Sequence, residues 1–385
     1  MKRTIFLIII LILLPNISFS VGDVKDKIVQ DQLDLFNTKE LENMVEEVLR
    51  DNDLDESINF KSGLKRLVKG EKFIDYKSIL ESIGDFFIGE IKVNLGFLSK
   101  ILIITLVSAI LTNLQSTFEN SSISSIANYI TYIVIAILVL GSLYQLIDVV
   151  KNTVELMINF MEILLPVLLT FLVISGGPTT KVLFHPMIIG TVNIISALVR
   201  NVIFPLIYFS FIVSILSNLS QRTELKKLSN LARQFITFII TAAFTVFIGI
   251  ITIYGLSTKI DGISIRTAKF AVDRFVPIVG GFLSDAVETV IGSSAILKNG
   301  IGIIGLFVLI IITIFPIIKI CGLLLIYKVI GAVIEPIVSS NISNFFTDIS
   351  KTILLILISM LSVAIMFFIT ITIIVDTGNS LLMLR

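Results

Sequence analysis

Few residues in this chain could do chemistry. Among 385 residues there is one histidine, His185, and one cysteine, Cys321. A single imidazole excludes any centre built on two histidines. A single thiol excludes an internal disulfide framework and a cysteine-based metal cluster. His185 precedes Pro186 in an apolar run, where it either relays a proton or packs beside a helix break. Cys321 reads as a small buried apolar residue rather than a redox centre. No GxxxxGK[ST] loop, HExxH or GxSxG occurs, so the sequence predicts no enzyme, no ATPase activity of its own, no cofactor and no metal. One carboxylate stands out. Glu162 sits in Met161-Glu162-Ile163-Leu164-Leu165-Pro166. A carboxylate in hydrocarbon is expensive, so it should face a cavity or a partner helix, with Glu155 on the same helix face. The plainer alternative puts both near lipid headgroups, since Lys151 and Glu155 mark an interface close by.

The elements that must hold these residues are membrane elements. Apolar residues make up 55% of the chain and charged residues 15%, and mean hydropathy is +0.99. A soluble chain carries roughly 25% charged residues. The net charge of +1 gives no basic field for nucleic acid. Lys2 and Arg3, the apolar run Ile5 to Leu14, Pro15 and Ser18-Phe19-Ser20 read as a signal peptide over 1–20, cleaved or retained as an anchor. Residues 21–94 follow, with 17 Asp/Glu against 11 Lys/Arg, and form an exported acidic helical segment. There Leu41, Met44, Val45, Val48 and Leu49 share one helix face, behind a start at Asn37 and Glu40. Tyr76, Ile79, Leu80, Ile83, Phe86, Phe87 and Ile91 make a second amphipathic run. The segment reads either as a small helical cap or spacer or, since so short a segment has little of its own to bury an apolar face against, as a docking surface for partner proteins outside the membrane.

From Leu95 on, the apolar runs Leu95–Leu114, Ile126–Ile147, Leu156–Ile174, Phe235–Leu256, Ile301–Ile318 and Thr352–Val375 are each long enough for a span. Val182–Ser217 is too long for one span, and Arg200-Asn201 near its middle suggests a tight hairpin of two. The fold class is therefore all-α, a polytopic helical membrane protein with about 7–8 spans. Membrane helices fill 95–256, and further ones fill 301–385. Cys321–Val338 is either part of an added span or an interfacial helix. With an exported amino end, five spans bring the basic loop 218–234 to the cytoplasm, as the positive-inside rule asks. Arg222, Lys226, Lys227 and Arg233 are its candidate docking residues for an ATPase or anionic lipid. The next connection fits less well, since Lys259, Arg266, Lys269, Arg274 and Lys298 would lie outside.

Residues 257–300 read as an amphipathic or re-entrant hairpin, broken at Pro277 and Gly280-Gly281. Pro277-Ile278-Val279-Gly280-Gly281-Phe282-Leu283-Ser284-Asp285 is echoed by Pro336-Ile337-Val338-Ser339-Ser340-Asn341-Ile342-Ser343-Asn344. Inverted repeats of broken helices line pathways in transporters. Pro277, Gly280, Gly281, Asp285, Pro336 and Glu162 are thus candidate pathway or hinge residues.

The signal-led acidic segment, the polytopic domain and the block Ala271-Val-Asp-Arg-Phe-Val-Pro-Ile-Val-Gly-Gly-Phe-Leu-Ser-Asp-Ala-Val-Glu-Thr-Val290 together resemble the stage III sporulation protein AE family. The resemblance runs over nearly the whole chain. It implies a protein of the mother cell of endospore-forming bacteria, in the membrane around the engulfed forespore. It implies a complex with other stage III sporulation membrane and ring-forming proteins and an associated ATPase. That complex meets a forespore protein across the intermembrane space and serves as a channel or secretion-like conduit for late forespore development. The resemblance carries over no enzymatic residue. Read without it, the same features also suit a free-standing secondary transporter of a small solute.

Overall fold

A computed structural model describes residues 38–51, 60–68, 76–116, 121–175, 178–220, 223–275, 280–336, 338 and 340–383. The expected signal peptide, Asn37 and Pro277 lie outside them. Every regular element among the described residues is a helix. Two short helices come first, α1 (Lys39–Asp51) and α2 (Phe60–Val68). Long ones follow: α3 (Tyr76–Ser116), α4 (Ser121–Ile174), α5 (Pro178–Leu198), α6 (Phe204–Ser220), α7 (Thr223–Phe275), α8 (Gly280–Ile334) and α9 (Ser340–Met383).

Several expected turns are absent, which lowers the span count. Ile126–Ile147 and Leu156–Ile174 belong to one 54-residue helix, α4. The polar residues between them contain neither glycine nor proline, so nothing stops the helix. The hairpin expected at Arg200-Asn201 is a π-helical turn, Val199–Ile203. Leu198 and Phe204 on either side keep right-handed helical dihedrals, and the Phe204 N–H donates to the Val199 carbonyl. Pro205 supplies the reason. It has no N–H, and its ring crowds the preceding turn, which a one-residue widening relieves. The chain 178–220 is therefore one rod. The expected hairpin 257–300 is likewise the end of α7 and the start of α8, and Cys321–Ile334 continues α8. Five stretches are long and apolar enough to cross a membrane: Tyr129–Ile174, Pro186–Ser220, Glu224–Ile253, Thr289–Ile334 and Ser340–Asp376. The expected span Leu95–Leu114 lies in α3, whose side chains past Ile110 fall outside the description.

The long rods alternate in direction, and α8 runs through the centre against α3, α4, α7 and α9. Their register follows from particular contacts. A Cβ on Gly305 would lie 2.6 Å from Leu164 of α4, while Tyr327 hydrogen-bonds Ser142 of the same helix. So α8 and α4 are antiparallel. A Cβ on Gly302 would collide with Val375, and one on Gly331 would meet Phe346, so α8 and α9 are antiparallel too. Phe86 packs edge-on against Phe315 and Phe97 against Tyr327, which makes α3 parallel to α8. Glycines at 302 and 305 leave the room that the Val375 and Leu164 side chains of the neighbouring helices fill.

The two short helices do not offer a free apolar face. Leu41, Met44, Val45, Val48 and Leu49 of α1 are buried in the chain's own core with Phe60 and Leu64 of α2. Leu64 closes on Gly300 near the start of α8. The expected docking face is thus consumed internally, because the long helices α8 and α4 extend far enough to cover it.

Candidate functional site: a buried ion pair where three helices meet

Asp348 lies in the third turn of α9, buried between α6 and α7. Ser214 Oγ donates to its Oδ2 at 2.6 Å and Asn218 Nδ2 at 3.0 Å. These two donors sit one helical turn apart, on one face of α6. Arg233 Nη1 of α7 reaches Asp348 Oδ1 at 3.1 Å, and Nη2 donates to the Asp348 carbonyl at 3.3 Å. Thr352 Oγ1 takes the same carbonyl at 2.9 Å. Lys351, more exposed, stands 3.8 Å from Oδ1. Around this pair, Ser229 Oγ of α7 donates to the Ser210 carbonyl of α6 at 2.8 Å. Tyr132 Oη of α4 donates to the Ile215 carbonyl at 2.8 Å, and its ring packs on Phe345.

This arrangement has little room for catalysis. The carboxylate is filled by donors, and the described residues hold no cluster of three metal-ligating side chains. Arg233 Nε is buried without a partner. The cluster is a clip: one carboxylate ties three helices at one end of the bundle. A second buried cation works near the other end. Lys298 of α8 is fully buried and donates from Nζ to the Val375 carbonyl of α9 at 2.8 Å, with Asp376 contributing opposite charge nearby. Lys298 is therefore an interhelix tie, not part of an exposed basic loop.

The other sequence candidates fall in different places. Arg233, expected to dock cytoplasmic partners, is turned into the clip and unavailable for docking. Lys226 and Lys227, near the start of α7, are exposed, and Arg222 lies outside the described residues. Gly280 and Gly281 open α8, Asp285 follows within its first turns, and Pro336 lies exposed at the α8–α9 junction. The two echoed motifs are separated by the whole of α8, so the structure does not bring them together. Gly280 and Gly281 open α8 and Pro336 follows its end, while Pro277 lies outside the described residues. Glu162 is exposed on α4, and Glu155 lies 3.8 Å from Arg200 in the π turn.

Comparison with known proteins adds a second line of argument. The family model for stage III sporulation protein AE matches residues 58–378. Stage III sporulation protein AE of Bacillus subtilis (strain 168) is 33% identical over 326 residues, covering 84% of this chain and 82% of that one. The chain belongs to the stage III sporulation protein AE family. No solved structure matches it. The family match spans α2 through most of α9, so the Arg233–Asp348 clip, Lys298 and Glu162 all lie within it.

Asp348 was missed in the sequence. Its local signal was weak: one acid beside Lys351 at the head of an apolar run looks like a membrane-surface charge. Ser214 and Asn218, four residues apart in an otherwise apolar helix, were the better clue to a buried polar partner.

Proposed function

We propose that this chain is a multi-pass integral membrane subunit of the sporulation-specific mother cell–forespore complex, a channel or secretion-like conduit, in the mother-cell membrane around the forespore. Family membership over most of the chain carries the reading. Five stretches of membrane-crossing length and apolarity support it. So does the location of the polar ties, which are buried between helices as a bilayer requires.

On this reading the acidic segment with α1 and α2 stands outside the cytoplasm. With the apolar run Leu95–Leu114 of α3 counted as a crossing, merging 182–217 into one rod and 126–174 into another removes two crossings before the α6–α7 junction. The parity is unchanged, so Lys226 and Lys227 still face the cytoplasm, where they meet an associated ATPase or anionic lipid. Ring-forming stage III proteins are the expected partners on the opposite side. Gentle detergent purification of the full chain from sporulating cells tests this. Co-purification of ring components and an ATPase is expected. Recovery of the chain alone, with solute uptake after reconstitution into vesicles, would overturn it in favour of a free-standing transporter.

A further inference from the structure

Two outward faces of the bundle differ in kind. On α7 the exposed side chains are Phe235, Phe238, Val246, Ile248 and Ile253. The exposed threonines among them return their hydroxyls to the backbone: Thr237 to the Arg233 carbonyl, Thr241 to Thr237 and Thr245 to Thr241, at 2.9–3.0 Å. Beyond the exposed Gln234 beside the clip, that face presents hydrocarbon and threonine hydroxyls already bonded to the backbone, which suits lipid.

The outward face of α4 is the opposite. Its exposed or half-exposed positions run Tyr144, Gln145, Asp148, Lys151, Asn152, Glu155, Asn159 and Glu162 at helical spacing. Leu156 is the exposed apolar exception, with Val149 and Ile163 half-exposed beside the stripe, and Arg200 of the π turn adds its guanidinium beside Glu155 at 3.8 Å. The stripe spans about 27 Å, close to the ~30 Å of a bilayer's hydrocarbon.

Depth decides what covers it. Ser142 is level with Tyr327 and Leu164 with Gly305. The stripe therefore runs alongside Leu306–Ile326 of α8, a segment with one charge, Lys319, in its whole length. Val375 and Phe346, beside Gly302 and Gly331, put the apolar run of α9 at the same level. By α8 and α9 the stripe is at hydrocarbon depth, and α3, with Phe86 beside Phe315 and Phe97 beside Tyr327, brings Asp85, Glu90 and Lys92 to the same level, so polar groups from two helices gather there. Carboxylates there can only accept and cannot satisfy themselves on their own helix as threonine does, so lipid is excluded as the covering phase.

We propose that the polar stripe of α4, from Tyr144 to Glu162 with Arg200, is this chain's wall of a water-filled passage through the membrane. The inference rests on the multi-pass membrane reading above. Water, rather than a dry contact with a second copy, fits the charge pattern. Copies related by an axis normal to the membrane would set Asp148 against Asp148 at one level, which needs solvent between them.

The test labels single cysteines with a membrane-impermeant, thiolate-selective methanethiosulfonate, using the full chain in membranes from sporulating cells. In a Cys321→Ser background, Gln145→Cys, Asn152→Cys and Glu162→Cys probe the stripe, and Phe238→Cys and Ile248→Cys probe the apolar face. A thiol in hydrocarbon stays protonated and unreactive. Labelling of the stripe at least tenfold faster than of the α7 positions is expected. Stripe labelling as slow as that of Phe238→Cys, in protein that resists carbonate extraction, overturns the passage and leaves the membrane reading intact. Rapid labelling at all five positions overturns both.

Discussion

Asp348 and Arg233 show how a single carboxylate organises three helices. Both are buried, and the pair is completed by Ser214 and Asn218 on a third helix. A buried pair is no guarantee of stability, but breaking it from one side leaves an uncompensated charge. Arg233→Leu or Asp348→Leu alone should lower unfolding free energy in detergent by about 3–5 kcal/mol. The double variant Arg233→Met/Asp348→Leu should lose less than the two single losses added, because no lone charge remains. Simple additivity of the two losses would show that the residues do not act as a pair. This site was half legible. Arg233 was visible as a basic residue near a helix start, and three neighbouring cations, Arg222, Lys226 and Lys227, made a solvated face the natural reading. Its partner lies 115 residues away, and no local periodicity reports a contact of that separation.

Helix existence was legible at the scale of elements, whereas helix ends were not. The apolar face of α1 appears in the sequence at the spacing the structure shows. Its use was misread, because what buries it is α2 and the part of α8 around Gly300, which a span-by-span reading leaves out. Val45→Asp should therefore destabilise the chain by roughly 2–5 kcal/mol, a buried charge without a partner. Glu46→Lys and Glu47→Lys, on the exposed side, should stay within about 0.5 kcal/mol of the parent. Protease resistance of the detergent-solubilised protein separates the two groups. Equal resistance for all three variants would show that the α1 face is free after all. The polar interruptions at Asp148–Glu155 and at Arg200-Asn201 were read as turns because charges usually mark a membrane surface. The helix tolerates them on an outward face, and at Arg200 it widens by one residue around Pro205.

The whole molecule is a set of long rods alternating in direction, with buried ties near both ends of its apolar depth. Lys298 holds α8 to α9 at one level, and Arg233–Asp348 holds α6, α7 and α9 at the other. Along α9 these levels are about 40 Å apart, enough to bracket a bilayer's hydrocarbon. Between them lie an apolar face on α7 and a polar one on α4. A charged side chain facing lipid at mid-depth costs about 3 kcal/mol on insertion scales, so several on one stripe would oppose insertion unless water reaches them. Composition made the membrane class plain from the start. Whether the two polar interruptions were turns is a matter that only the continuous backbone decides.

Topology reporters inserted after residues 118, 177, 222, 278 and 338 of the full chain test that central claim. The alternating rods require strict alternation: 118, 222 and 338 on one side of the membrane, 177 and 278 on the other. Reporters at 177 and 222 on the same side would mean that two crossings separate them, and would contradict the continuous rod on which the architecture depends.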